Sequence, residues 1–436
     1  MVAPGFLGAG MEDTLIGSMD RLRRLDGYAP VEVARRLRHL PGMVFFDSAG
    51  YTPFGGKRTI SVIAARPVRI LKGSIHSPGD REVLEKAHAA GTGFARDYGF
   101  PLGGLCGWVD YEGEFVFGEY REMLVHCHDD DSWWETGGLS SEIRGEVAVE
   151  DAPVIGDFRA LTGRERFIGG VERVREWIAA GDIYQVNLSQ AFRSEISGGS
   201  LFDLYVSLRE ASPAPMAAWL SLDGREVLSS SPETFLKISG RGIETQPIKG
   251  TRPRFADPDE DRRSAYELQT SAKEISELVM ITDLLRNDLG QVCGFGSVSV
   301  SEMLRLETLA QVHHLVSTVV GTLRPEISTV AALAACFPGG SITGAPKKRA
   351  MEIIRELENA PRGIYCGAIG WLGFNGESSF SIAIRTLIRE GGSLTYQVGA
   401  GIVADSDPEK EYEETLHKAA GIRLAIQRWQ SLRPGG

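Results

Sequence analysis

The chain has 436 residues, 42% hydrophobic and 24% charged, with a formal net charge of −11. Length and balance fit a folded protein of two or three domains, or one large α/β unit. The acidic surplus excludes nucleic acid, which asks for a basic surface, and an anionic substrate would need its own local pocket of lysine and arginine.

The opening MVAPGFLGAGMEDTL lacks a basic stretch followed by an apolar one, so no secretory signal is expected. No apolar run approaches ~18 residues, so no membrane span is expected either, and the location inferred is cytoplasmic. The five cysteines, Cys106, Cys127, Cys293, Cys336 and Cys366, form no CxxC pair, which suits a reducing compartment. Residues 1–150 read as strand-rich: GMVFFDSAG, TISVIAARPVRIL and GGLCGWVDYEG are β-type runs bounded by Gly and Pro. His126-Cys127-His128, followed by Asp129 to Asp131, lacks a second ligand pair at zinc spacing and is expected as an exposed polar loop. The polar segment from Trp134 to Ala160 is the linker candidate.

Phe167, Val171, Val174 and Ile178 then recur at helical spacing until Gly181, and IYQVNLSQAF follows as a strand. Further single strands are expected at EVLSSSPETFLKI, GIYCGAIGWLGF, SFSIAIRTLI and SLTYQVGAGIVA, and helices over 271–289, 327–336, 346–359 and 408–430. There is no internal repeat. Long alternation of strands and helices indicates a mixed α/β or α+β fold.

Several stretches carry chemistry. QPIKGTRPR sets Lys249 in a loop just before Arg252 and Arg254. Taken alone, a basic loop facing solvent accounts for it. Positive neighbours would also lower a lysine's pKa and free its lone pair for attack. In SAKEISELVMITDLLRNDLG, Glu274 and Glu277 share a helix face, and Ser271 with Glu274 matches a capping box, which by itself explains Glu274. In DPEKEYEETLHKAAGIRLAI, Asp407 and Pro408 start a helix whose face carries Glu411, Glu414 and Lys418. An exposed Glu-to-Lys pair explains that helix alone, but two E-x-x-E helices suit a hard divalent cation such as Mg²⁺. FPGGSITGAPKKRAMEIIRELE lacks the Lys and Ser/Thr of a phosphate loop. Its helix start offers free N–H groups to an anion such as a carboxylate, with an ordinary cap at Thr343 as the simpler reading. Gly399 and Gly401 in QVGAGIVADS allow close backbone approach. Arg385 is expected on a strand face with Ser381 and Ala383, where a buried arginine needs an anionic partner.

Read together, QPIKGTRPR, GDIYQVNLSQ, SSPETF, KEISELVMITDLLRNDLG, VHHLVST, FPGGSITGAPK, GIYCGAIGW, FSIAIRTL and GAGIVADSDPEKEYEETLHKA stand in the order found in chorismate-utilising enzymes. The chain resembles that family over residues 160–426, its chorismate-binding catalytic region. FFDSAGYTPFGGKRTISVIAARP, within 1–150, resembles the amino-terminal region of the amine-transferring members. The resemblance implies one intertwined unit: an anthranilate synthase component I-like sandwich of two subdomains, sheets inside, helices outside, the active site in the cleft. Members that add water carry a lysine base where this chain has Gln185, and glutamine cannot act as one. Anthranilate synthases usually read PIAGT; aminodeoxychorismate synthases usually read PIKGT, with the lysine as nucleophile.

The pattern is therefore nearest the aminodeoxychorismate synthase component I branch, on the route to para-aminobenzoate and folate. For that branch the resemblance implies Lys249 as nucleophile and Glu233 as acid. Mg²⁺ would be held by Glu277 and Glu414, with Glu274 and Glu411 in support. Chorismate would be bound by Thr251, His314, Thr343, Gly344, Tyr365, Arg385, Gly399, Gly401 and Lys418. Ammonia would come from a separate glutamine amidotransferase subunit, component II. Anthranilate synthase component I is the alternative, and a non-catalytic tryptophan sensor a more distant one. The family's tryptophan pocket maps onto FFDS and SPAPM, hence Ser48, Pro215 and Met216, with Met216 replacing the usual aromatic.

Overall fold

The structure is a computed structural model that describes residues 20–22, 25–48, 59–91, 98–143, 153–309 and 312–432. It is built on two antiparallel sheets. Among the described residues the larger has 13 strands, two of which, Val154–Ile155 and Gly344–Ala345, pair with Gln185–Ser197 off the main path. Its path runs from Asp20–Arg21 through Ser132–Thr136, Met123–Cys127, Ile60–Ala64, Val44–Asp47, Met216–Leu222, Arg225–Ser231, Thr386–Glu390 and Ser393–Ile402 to Gln185–Ser197 and Arg159–Ala160. The smaller has 10. It runs from Ile248–Pro253 through Val312–Thr322, Gly242–Gln246, Thr234–Ser239, Glu377–Ile382, Ala368–Gly373, Gly104–Val109 and Glu114–Tyr120 to Arg69–Ser74, with Ser299–Thr308 on Val312–Thr322. Strands from before residue 150 enter both sheets.

Period-two alternation sets the layers. Val44, Phe46, Val62, Ala64 and Val125 meet Cys106, Trp108 and Val116 in a core between the sheets. Phe45, Ile63 and Leu124, one residue out of phase, pack outward against helices Pro30–Leu37, Phe202–Ala211 and Ala420–Ser431. Helices Arg164–Ala179, Thr329–Cys336 and Lys347–Leu357 cover a third core built from both sheets. The result is sheets inside and helices outside. Each fully buried aliphatic or phenylalanine side chain contributes about 1.5–3 kcal/mol to that arrangement. Among the described residues no helix is long and apolar enough to cross a membrane.

Six expectations change. EVLSSSPETFLKI is two strands, Arg225–Ser231 in the larger sheet and Thr234–Ser239 in the smaller, because Pro232 cannot donate to a ladder. SFSIAIRTLI likewise divides into Glu377–Ile382 and Thr386–Glu390, one in each sheet. Arg385 lies in the crossover at φ 51, off any strand face. The helix expected over 408–430 is two, Pro408–Lys418 and Ala420–Ser431, abutting at Ala419. His126 and Cys127 end a buried strand rather than sit in an exposed loop. His126 Nε2 pairs with Asp131 Oδ1 at 2.8 Å, and His128 Nε2 meets Ser61 Oγ at 2.9 Å. Trp134, expected to open a linker, belongs to strand Ser132–Thr136; residues 144–152 of that segment lie outside the described residues.

Candidate functional site

The two places where the chain crosses between sheets lie side by side. Ser231 Oγ donates to the Ile382 carbonyl at 2.6 Å, Ile382 N–H to the Glu233 carbonyl at 3.1 Å, and Ser230 N–H to the Arg385 carbonyl at 3.1 Å. These crossovers carry Glu233 and Arg385 into the interior. The Glu233 carboxyl accepts from the Ser341 hydroxyl and the Ile248 N–H. Burial pushes its pKa up to about 7, against the pull of Ser341, Lys249 and Ile248. Such a carboxyl holds a proton it can give at neutral pH. Burial also lowers the pKa of Arg385, and among the described residues no carboxylate pairs with it. A desolvated guanidinium without an anion is a site for one.

His314 faces the same space. Its Nδ1 lies 2.9 Å from the Gly250 carbonyl and 3.2 Å from Thr251 Oγ1. A carbonyl only accepts, so Nδ1 carries the hydrogen and Nε2 is a bare acceptor, buried without a partner among the described residues. Burial, with Arg385 next, pulls this histidine down to about 4, so it is neutral at pH 7.

Lys249 lies on strand Ile248–Pro253, whose register against Val312–Thr322 shifts between Lys249 and Thr251. The irregularity falls at Gly250, which has φ +70. A Cβ there would lie 2.6 Å from Leu268 Cδ1 and 3.2 Å from Glu274 Oε2, so glycine is required. The amine reaches to 3.7 Å from where a Cβ on Gly401 would be. The arginines expected to act on it are engaged elsewhere. Arg254 Nε is 2.8 Å from Asp261, and Arg252 Nη1 is 3.7 Å from Glu274. The ionisable groups whose pKa feels Lys249 are Glu233, Glu277 and Glu414. The electrostatic rationale built on the two arginines is therefore replaced by a lysine among carboxylates.

Of these, Glu277 and Glu414 come from the two E-x-x-E helices, Ala272–Gly290 and Pro408–Lys418. Ser271 accepts the Glu274 N–H as the capping box requires, but the Glu274 side chain turns to Arg252. Glu411 is buried, takes the Ser406 hydroxyl at 2.7 Å, and lies 3.5 Å from Lys273 Nζ. Its Oε2 has no partner among the described residues. Burial raises the pKa of Glu277 against Lys249 and Lys273. Glu414, equally opposed by burial, is held low by Lys418 at 2.8 Å, then Lys273 and Lys249. Among the described residues no three ligating side chains converge tightly enough to hold a metal alone. A magnesium ion needs only one or two carboxylates if a substrate supplies the other oxygens, so Glu277 and Glu414 fit it in that way.

The glycine pair is placed as expected. A Cβ on Gly399 would meet Asn187 Oδ1 at 2.7 Å and Tyr365 OH at 3.0 Å; one on Gly401 would meet Gln185 Nε2 at 2.4 Å. Lys418 Nζ donates to the Gly399 carbonyl at 3.0 Å, tying helix to strand. Thr343 does not cap the start of helix Lys347–Leu357: Pro346 takes that position, and the Thr343 hydroxyl donates to the Gly339 and Gly340 carbonyls. Gly344, at φ +141, presses so close to the Gln185 carbonyl that a Cβ would lie 2.2 Å from it.

Sequence reasoning missed Ser341, which holds Glu233, and Lys273, which sits among the four glutamates. It also missed the buried pair of Arg362 with Glu358, whose guanidinium lies over Tyr111 and Tyr365. An isolated serine or lysine carries no periodic signal; the i,i+4 spacing of Glu358 and Arg362 was the one available clue. Ser48, Pro215 and Met216 do come together, in an inter-sheet cavity of about 530 Å³. Phe46 and Trp371 also line it, as do Pro232 and Ile248, the chain neighbours of Glu233 and Lys249.

Residues 101–423 match the family model described as chorismate binding enzyme. The chain is 46% identical over 286 residues to anthranilate synthase component 1 of Haloarcula marismortui, covering 65% of this chain and 58% of that protein. It is 44% identical over 279 residues to aminodeoxychorismate synthase component 1 of Escherichia coli, covering 64% and 61%. The match thus spans about three-fifths of the length of these relatives. Among solved structures, anthranilate synthase component I from Streptococcus pneumoniae superposes with a TM-score of 0.74 at 28% identity, over 86% of this chain and 94% of that one.

Proposed function

The chain belongs to the chorismate binding enzymes, and on that premise we propose that it aminates chorismate at C4, as an aminodeoxychorismate synthase component I, through a covalent Lys249 intermediate. The observation that carries this reading is the primary amine of Lys249 facing the same pocket as Glu233, whose carboxyl burial holds at about 7.

Arg385 and Tyr365 bind a substrate carboxylate, and His314 and Thr251 wall the pocket. Glu277 and Glu414 would hold Mg²⁺, which when bound supplies positive charge to the other substrate carboxylate. The Lys249 amine attacks C2, the diene shifts, and the C4 hydroxyl leaves with the proton of Glu233 as water. The resulting Glu233 carboxylate takes the extra proton from the lysine nitrogen. Ammonia then attacks C4, the diene shifts back, and the C2–N bond breaks toward Lys249. The proton lost by the incoming nitrogen goes to the departing amine. The balance is chorismate plus ammonia to 4-amino-4-deoxychorismate plus water. Splitting one hard substitution into two allylic ones is what covalent catalysis offers. A glutamine amidotransferase subunit would supply the ammonia, and the cavity at Ser48, Pro215 and Met216 would take tryptophan.

The second reading is anthranilate synthase component I, the name carried by the Haloarcula and Streptococcus relatives. That reaction brings ammonia to C2 directly and has no use for an amine at position 249. The two are separated by incubating the chain with chorismate, Mg²⁺ and ammonium chloride and resolving products by chromatography. 4-Amino-4-deoxychorismate is expected. Anthranilate as the sole product, with no mass adduct on Lys249 when ammonia is withheld, would overturn the proposal.

A further inference from the structure

Three side chains of the pocket leave a buried polar atom without a hydrogen bond among the described residues: Gln185 Oε1, Asn187 Oδ1 and His314 Nε2. An orphaned buried acceptor costs about 1–3 kcal/mol, so several sharing one pocket point to a ligand that donates to them. Gln185 and Asn187 are two apart on strand Gln185–Ser197 and so present one face. That face looks on the Gly399–Gly401 backbone: Gln185 is the near neighbour at Gly401, where Lys249 Nζ also reaches, and Asn187 the near neighbour at Gly399, beside Tyr365 OH.

Asn187 is held firmly while its amide stays uncommitted. Its N–H donates to the Thr343 carbonyl at 2.9 Å, and its carbonyl accepts from Arg362 Nη2 at 2.6 Å. Arg362 is itself locked by Glu358 at 2.7 Å, and Glu358 accepts from Ser189 on the same strand. A buried ion pair thus fixes the backbone of a residue whose amide oxygen has no partner among the described residues, which is how a binding group is preorganised.

The two substrates ask for different things. A dicarboxylate needs donors, which Arg385 and Tyr365 supply. Ammonia needs acceptors for its N–H bonds while its lone pair stays free. Amide oxygens accept an N–H without taking its proton, so they keep ammonia nucleophilic and give water no base.

We propose that Asn187 is a nucleophile-positioning residue: its amide oxygen holds the incoming ammonia with the lone pair toward the carbon under attack. This rests on the aminating function above and leaves its bond changes as written there. The test is steady-state kinetics of the full chain with ammonium chloride varied at saturating chorismate. Asn187→Ala should raise KM for ammonium about three- to tenfold, the weight of one neutral hydrogen bond, with KM for chorismate within about twofold. Asn187→Leu, close in size and without an acceptor, should give the same split and serves if the alanine variant fails to fold. An unchanged KM for ammonium, or both KM values rising in parallel, overturns the assignment. ¹⁵N-ammonium separates the two claims. Wild-type turnover without label in the product removes the aminating function and the Asn187 role with it; labelled product with unshifted ammonium KM removes Asn187 alone.

Discussion

Replacing Glu233 by glutamine keeps the size of the side chain and removes its titrating proton. In the native chain burial holds this carboxyl at about 7, against 4.5 for a free one, with Ser341, Lys249 and Ile248 opposing. That difference amounts to about 3 kcal/mol against the ionised form. The unfolded chain releases the proton near 4.5, the folded chain only near 7. Between those values the unfolded state binds fewer protons, so native stability falls as pH rises through the window. Glu233→Gln has no proton to lose. It should match the native chain below pH 4.5 and exceed it above pH 7 by up to about 3 kcal/mol. Urea midpoints of both proteins on either side of the window measure this, with all other titrating groups cancelling in the comparison. The same substitution removes the acid for the departing hydroxyl, so chorismate consumption should drop about 10²–10⁴-fold. A stability difference that does not change with pH would refute the raised pKa. Activity close to native would refute the acid role, whatever the stability.

Glu277→Gln or Glu414→Gln should weaken Mg²⁺ binding, read by calorimetry, by more than the roughly 10–100-fold that losing an outer-shell partner costs; native turnover of both variants in EDTA would sink the metal site. Lys249→Arg should give no adduct and no turnover, since a guanidinium stays protonated. Lys249→Ala opens space beside Gly401, and product analysis should find ammonia arriving at C2 instead; 4-amino-4-deoxychorismate at native rate would show the lysine to be only a charged neighbour. Arg385→Gln removes a buried charge that no described carboxylate pairs, so thermal melts should show stability held or improved. KM for chorismate should rise about ten- to hundredfold, as for a lost charge-assisted hydrogen bond; a destabilised variant with native KM would make the arginine structural.

By itself the sequence determined what depends on near neighbours along the chain. Helix starts at Ser271 and Asp407 formed their side-chain caps, and the E-x-x-E spacing put Glu274 and Glu277 on one face, because 3.6 residues make a turn whatever surrounds it. The order of motifs carried the family. What faces what was decided only by the tertiary structure. EVLSSSPETFLKI and SFSIAIRTLI each look like one β-type run. Each changes sheets midway, and that delivers Glu233 and Arg385 to the site. Arg252 and Arg254 stand beside Lys249 in sequence, yet they face Glu274 and Asp261, while Lys249 finds Glu233, Glu277 and Glu414 from three distant segments. His126 and Cys127 looked like loop and proved buried, because a neighbouring strand and Trp133 cover them. Backbone periodicity is fixed by local sterics and hydrogen bonds. Burial and charge environment are set by whichever segments the sheets bring together, and those two properties give a carboxyl at about 7, a neutral histidine and an uncommitted asparagine their chemistry.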